Sequence, residues 1–180
     1  GRKALHAFRH AHIAIVGLGG VGSWAAEALA RSGIGTITLI DMDDICVSNT
    51  NRQLHALQGQ YGRTKTDAMA ERLRAINPQA DIRVHFGFLT VKNVGELITE
   101  DMTGVVDAID SVKAKAALIA HCQRRKIPII CAGGAGGQMD PAQIQVADLA
   151  KTTQDPLLAK VRNMLRREYG FPETRNGASA

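Results

Sequence analysis

The chain has 180 residues, 45% of them hydrophobic and 22% charged, with a formal net charge of +5. These proportions suit one globular domain with a sizeable core. No apolar run approaches the roughly 20 residues that span a bilayer, no signal-peptide pattern opens the sequence, and Cys46, Cys122 and Cys131 form no C-x-x-C pair of the kind that marks zinc or redox sites. The cytoplasm is the expected compartment. The positive charge tilts toward acidic partners, nucleic acid included, although a solvated basic surface is the commoner explanation.

In chain order, Ala4, Leu5, Phe8 and Ala11 recur at helical spacing, predicting a helix that leans on the first strand. Ile13–Val16 reads as that strand, short and buried. It ends abruptly at Gly17-x-Gly19-x-x-Gly22, the spacing of a dinucleotide fingerprint, with Gly20 inside it. A helix rich in small residues follows and stops at Gly33 and Gly35. The second strand closes on Asp41-Met42-Asp43-Asp44, placing an acid nineteen residues past Gly22, where a ribose hydroxyl is read in such folds. The polar stretch 47–54 is too polar for core and too long for a tight turn; long loops in compact domains are often functional.

Gly62-Arg63-Thr64-Lys65 leads into a helix ending at Asn77-Pro78. Residues 82–86 alternate like a strand, and 94–98 form a short helix. Residues 104–109 read as a buried strand delivering Asp110 and Ser111 at its carboxyl end. A helix ending in Arg124-Arg125-Lys126, a strand over 127–131, a glycine turn over 133–137 and a last strand over 143–147 complete the sheet. A basic amphipathic helix then runs from Asp155 to about Tyr169, and 170–180 read as a flexible tail. Strand–helix alternation predicts an α/β, Rossmann-like, doubly wound and mainly parallel sheet with helices on both faces. The short glycine connection leaves the last two strands free to run antiparallel.

Ligands of such sheets lie beyond the carboxyl ends of the strands. That rule gathers the glycines, Asp41, Asp43 and Asp110 at one rim, and the polar loop and the next helix bring Asn49, Arg52 and Lys65 to the same place. A dinucleotide needs no extra cations, because helix N–H groups hold its pyrophosphate. Arg52 as a planar fork and Lys65 as a point charge suit a triphosphate. An aspartate opposite them suits magnesium, which takes one or two carboxylates plus phosphate oxygens. The residues favour ATP over NAD, with an NAD-binding redox or sensor domain as the rival.

Gly17–Ser23, Asp41–Asp43, Ser48–Gln53, Gly62–Lys65 and Asp107–Ser111, in this order, closely resemble the adenylating superfamily related to ubiquitin-activating enzymes. Within it, Trp24–Ala30, Asp43-Asp44, Ala132–Gln138 and Asp148–Pro156 are similar to the branch that uses ATP to cyclise the threonylcarbamoyl group on adenosine 37 of tRNA. The resemblance covers residues 4 to about 167 and implies an ATP-binding adenylating domain over 1–169. By that resemblance, ATP is bound by Gly17, Gly19, Gly20, Gly22, Asp41, Asp43, Asn49, Arg52, Gln53, Lys65, Asp110 and Ser111. It makes Arg52, Lys65 and Asp110 the catalytic set, Asp110 the magnesium ligand, and a homodimer and a possible sulfur-relay protein the partners, with tRNA as substrate.

Activators of small ubiquitin-like sulfur carriers, the alternative within the superfamily, carry paired C-x-x-C zinc motifs that are missing after Val146, so no zinc site is expected. Family segments are expected to be lacking at both ends. Cys122 and Cys131 read as core, and Cys46 has only a weak claim to reactivity. Lys160, Arg162, Arg166 and Arg167 decorate a helix that either touches tRNA phosphates or is a plain solvated face.

Overall fold

The computed structural model describes residues 1–172; the end of the tail proposed for 170–180 lies outside the described residues. Five strands, β1 (His12–Val16), β2 (Thr36–Asp41), β3 (Asp81–Phe86), β4 (Gly104–Asp107) and β5 (Ile129–Cys131), form one sheet in the order β3-β2-β1-β4-β5. Every neighbouring pair is parallel. The order reverses beside β1, so a crevice opens over its carboxyl end. The fold is α/β, doubly wound and Rossmann-like.

Two apolar layers cover the sheet. On one face, α2 (Gly22–Arg31) and α3 (Lys65–Ile76) bury Ala26, Ala30, Met69 and Leu73 against Ile15, Ile37 and Leu39. On the other, α4 (Val94–Leu97) and α5 (Val112–Arg125) bury Val94, Leu118 and Cys122 against Ala14, Val16 and Ile40. Alternate residues of β1 and β2 therefore feed opposite faces, as strand geometry requires. Outside α5 lies α6 (Pro156–Tyr169), seated through Val161 and Leu165 on Ala116 and Ala120.

Side chains start these helices. The Thr64 hydroxyl accepts the Asp67 N–H at 3.1 Å and the Asp155 carboxylate accepts the Leu158 N–H at 2.9 Å. Such caps satisfy N–H groups that the first turn leaves unpaired. Between α2 and α3, the Glu27 carboxylate accepts from both Arg31 and Arg72, and Arg72 holds its carboxyl below the usual range. At the amino ends of the strands, the His12 ring lies 2.8 Å from both Asp101 Oδ2 and Thr38 Oγ1. It ties three segments together at the end of the sheet opposite the crevice.

Two sequence expectations need correction. The helix α1 (Arg2–His10) forms but buries no residue, and Leu5 and Phe8 remain exposed. Its carboxyl end is docked by Phe8 C=O, which accepts the Gly35 N–H at 2.9 Å, and Leu5 lies beside Gly33. The strand expected over 143–147 does not form, and no antiparallel strand joins the sheet among the described residues. Ile144 and Val146 alternate as a strand would, yet they are 80% and 89% exposed. Alternation makes a strand only when a sheet edge and an apolar layer receive it, and neither meets this segment.

Candidate active site at the carboxyl rim of the sheet

A cleft of about 1410 Å³ opens over the carboxyl ends of the strands. Gly17, Gly19, Gly20, Asp41, Asp43, Asn49, Arg52, Gln53, Lys65, Asp110 and Ser111 all line it. The structure thus collects eleven of the twelve residues singled out from the sequence. Gly22 stands behind them instead. A Cβ at Gly22 would lie 1.8 Å from the Gly17 carbonyl oxygen, and one at Gly17, whose φ is +88°, would lie 2.8 Å from Ala108 O. The two glycines fold the turn onto β4, and Gly19 and Gly20 are left facing the cleft.

Asp41 fixes the same turn from β2. Its Oδ2 accepts the Leu18 N–H at 2.6 Å and its Oδ1 the Asp43 N–H at 2.7 Å. A carboxylate has about four acceptor positions, so both oxygens can take further donors from a ligand.

Asn49 ends a 3-10 turn over Val47–Asn49, and its Oδ1 accepts the Cys46 N–H at 3.0 Å. That leaves the amide NH₂ available to a ligand. Arg52 lies across Gly20, where a Cβ would sit 3.2 Å from its Cγ, and its Nη1 donates to Ser48 O at 3.1 Å and Asn51 Oδ1 at 2.9 Å. Lys65 is buried and its Nζ lies 2.7 Å from Asp43 Oδ2. Gln53 is buried as well, with its Oε1 unpartnered among the described residues. Asp110 is exposed on the opposite side, and no described residue pairs with its carboxylate. Ser111 caps α5, accepting the Ala114 N–H at 3.5 Å.

Several lining residues escape sequence reasoning. Met42, Phe88, Leu89 and Val91 give the cleft an apolar wall. Phe88 is 60% exposed, and the signal for it is two large apolar residues in a loop that follows a strand end. The glycine segment 132–136 closes the other side. It is held at Gly134 N–H, which donates to Asp155 Oδ2 at 2.9 Å, and at Ala132 O, which accepts from Lys115 Nζ at 3.0 Å. Lys115 has no solvent exposure and lies 2.9 Å from Asp107 Oδ1, equally buried. Burial pushes the Asp107 carboxyl up, and Lys115 opposes the shift.

Cys122 is buried and Cys131 half-buried, both next to Asp107. Burial, with Asp107 nearby, pushes the Cys122 thiol up to about 11 and raises Cys131 further, and the thiolate is the reactive form. Cys46 is exposed in the polar loop. Arg162 is committed within the fold, its Nη1 donating to Thr152 O at 2.9 Å and Leu149 O at 3.2 Å. Arg167 lies 3.8 Å from Glu168 Oε1 on the same helix.

His55 is 3% exposed, and neither ring nitrogen has a partner among the described residues. Burial, and secondarily Lys65, lower its pKa to about 4. The unfolded chain, with histidine near 6.5, therefore binds one more proton between those values. The resulting stability is intact above pH 6.5 and is lost as pH falls toward 4, at roughly 1.4 kcal/mol per pH unit. In denaturant melts from pH 7 to 4.5, His55→Leu should flatten the stability profile by that slope. Parallel profiles would refute the assignment.

Among the described residues, no group of three or more His, Cys, Asp or Glu could hold a metal, and no helix is long and apolar enough to cross a membrane. Residues 1–162 match the ThiF family. Over 177 residues, 98% of this chain and 66% of the relative, the sequence is 59% identical to tRNA threonylcarbamoyladenosine dehydratase of Escherichia coli. The Bacillus subtilis protein of the same name is 41% identical over 168 residues, 93% of this chain and 66% of that protein. The chain thus spans just under two thirds of these relatives. The crystal structure of the Escherichia coli dehydratase in complex with ATP superposes with a TM-score of 0.93 at 60% identity, covering 94% of this chain and 70% of that one.

Proposed function

The chain belongs to the ThiF family, and from that premise we propose that it is the ATP-binding core of an enzyme that cyclises the threonylcarbamoyl group on adenosine 37 of tRNA. The observation that carries the reading is the convergence of Arg52, Lys65 and Asp110, which has no partner among the described residues, around the Gly17–Gly20 turn. The identity to dehydratases along 98% of the chain supports the same reading.

In this reading the N–H groups at Gly19, Gly20 and the start of α2 meet the triphosphate, and Asp41 takes the ribose hydroxyls. Arg52, Lys65 and Asn49 stabilise charge that builds as pyrophosphate leaves. The substrate carboxylate attacks the α-phosphorus, giving an acyl adenylate and pyrophosphate. The neighbouring carbamoyl group then attacks the activated carbonyl and expels AMP. No protein nucleophile is needed, because an intramolecular attacker has a high effective concentration. The raised thiols of Cys122 and Cys131 agree with that.

Magnesium fits the donor set. Asp110, whose carboxylate has no partner among the described residues, lines the cleft together with Arg52 and Lys65, and magnesium is commonly held by one or two carboxylates plus substrate phosphates. When bound there, it supplies charge neutralisation on the phosphate oxygens. A homodimer, a sulfur-relay partner and a cytoplasmic setting belong to the proposal through family resemblance.

The test is pyrophosphate release from ATP with threonylcarbamoyl-modified tRNA, with unmodified tRNA and with no RNA. Release confined to the modified tRNA is expected. Release driven instead by a carrier protein ending in Gly-Gly would move the assignment to sulfur-carrier activation.

A further inference from the structure

The cleft is larger than one nucleotide requires. At about 1410 Å³ it exceeds the roughly 300–1,000 Å³ of a site shaped for one small molecule. Its cations also divide between two walls. Arg52 and Lys65 stand with α2 and α3, and both are engaged with oxygens of the chain itself. Lys92 and Lys113 stand on the other wall. Lys92 lies two residues before α4, Lys113 lies in the first turn of α5, and α4 packs on α5. Both lysines are exposed and line the cleft, and neither has a partner among the described residues.

We propose that Lys92 and Lys113 are the landing site for the backbone phosphates of the RNA whose nucleotide enters the cleft. This rests on the reading under Proposed function and adds the surface that receives the RNA. A triphosphate seated on the Gly19–Gly20 turn already has Arg52 and Lys65. A nucleotide inside an RNA chain brings phosphates of its own on either side, and they need cations on the remaining wall. Lysine suits them, being a mobile point charge that demands no fixed geometry. A second observation points the same way. Phe88, 60% exposed, sits in the same loop as Lys92 and lines the same cleft. An exposed aromatic beside a cation is the arrangement on which unpaired bases stack while their backbone is neutralised.

The experiment compares the enzyme with its Lys92→Ala/Lys113→Ala variant. Binding of threonylcarbamoyl-modified tRNA is measured from 50 to 200 mM salt, and binding of ATP by calorimetry. Loss of two phosphate contacts should make the slope of log K against log salt shallower by about 1.4 and weaken binding roughly tenfold, with ATP affinity unchanged. Lys92→Arg/Lys113→Arg should restore the slope. An unchanged slope overturns the proposal. So does weakened ATP binding with intact tRNA binding, which would place both lysines on the triphosphate. If the unmodified enzyme binds no tRNA at all, the functional reading itself fails, and this inference with it.

Discussion

Replacing Asp110 by asparagine is expected to lower ATP turnover roughly 100- to 1,000-fold while leaving the melting temperature within a degree or two. Asp110 is exposed, accepts no hydrogen bond among the described residues and does not cap α5, a role that Ser111 fills. Its carboxylate therefore does little for the fold, and surface substitutions away from such features usually cost little. The expected kinetic loss is of the size seen when one preorganised electrostatic contact to a transition state is removed. Binding of ATP without magnesium should be nearly unchanged, and the effect should appear when magnesium is titrated in. Pyrophosphate release by Asp110→Asn at the rate of the parent enzyme would remove Asp110 from the chemistry.

The opposite pattern is expected at Lys115. Lys115→Met should destabilise the fold by about 3–5 kcal/mol, because it leaves the Asp107 carboxylate buried and uncompensated. The site has no solvent exposure on either side, and Asp107 Oδ2 is already without a hydrogen-bond partner among the described residues. Adding Asp107→Leu should recover most of that loss, since an apolar pair in place of a buried ion pair is often neutral or better. The double variant should still be impaired in turnover, because Ala132 O has lost the ammonium that held it. Denaturant melts of the two single variants and the double variant form the cycle. Additive losses would show that the pair is not a coupled unit.

These two residues also mark how far the sequence could be read. Asp110 was legible because β4 had a buried apolar run ending at the rim, and doubly wound sheets bind ligands there. The glycine turn and Asp41 were legible for the same reason, whereas Lys65, the first residue of α3, was legible through the Gly62–Lys65 motif of the resemblance. Lys115 was not. In the helix pattern it is one cation in an alanine-rich run, and only the packing of α5 on the sheet reveals that it points at Asp107. His55 escaped in the same way, since a histidine in a polar loop gives no hint that the loop folds over it. The missing strand at 143–147 shows the limit from the other side. Its residues alternate, but a strand depends on a partner edge, and that is a property of neighbours rather than of the segment.

The two walls of the cleft differ in how freely they can change. The α2–α3 wall is stitched through backbone bonds, with Asp41 holding Leu18 and Asp43, and Gly22 pressed on Gly17. Altering it disturbs the turn that everything else is built on. The α4–α5 wall presents Phe88, Lys92 and Lys113, exposed side chains that line the cleft and form no hydrogen bond or ion pair among the described residues. Substitutions at these three positions break no hydrogen bond of the glycine turn. A scaffold divided in this way can exchange one acceptor for another by drift at a few outward positions, and directed evolution of new acceptor preference should begin on that side.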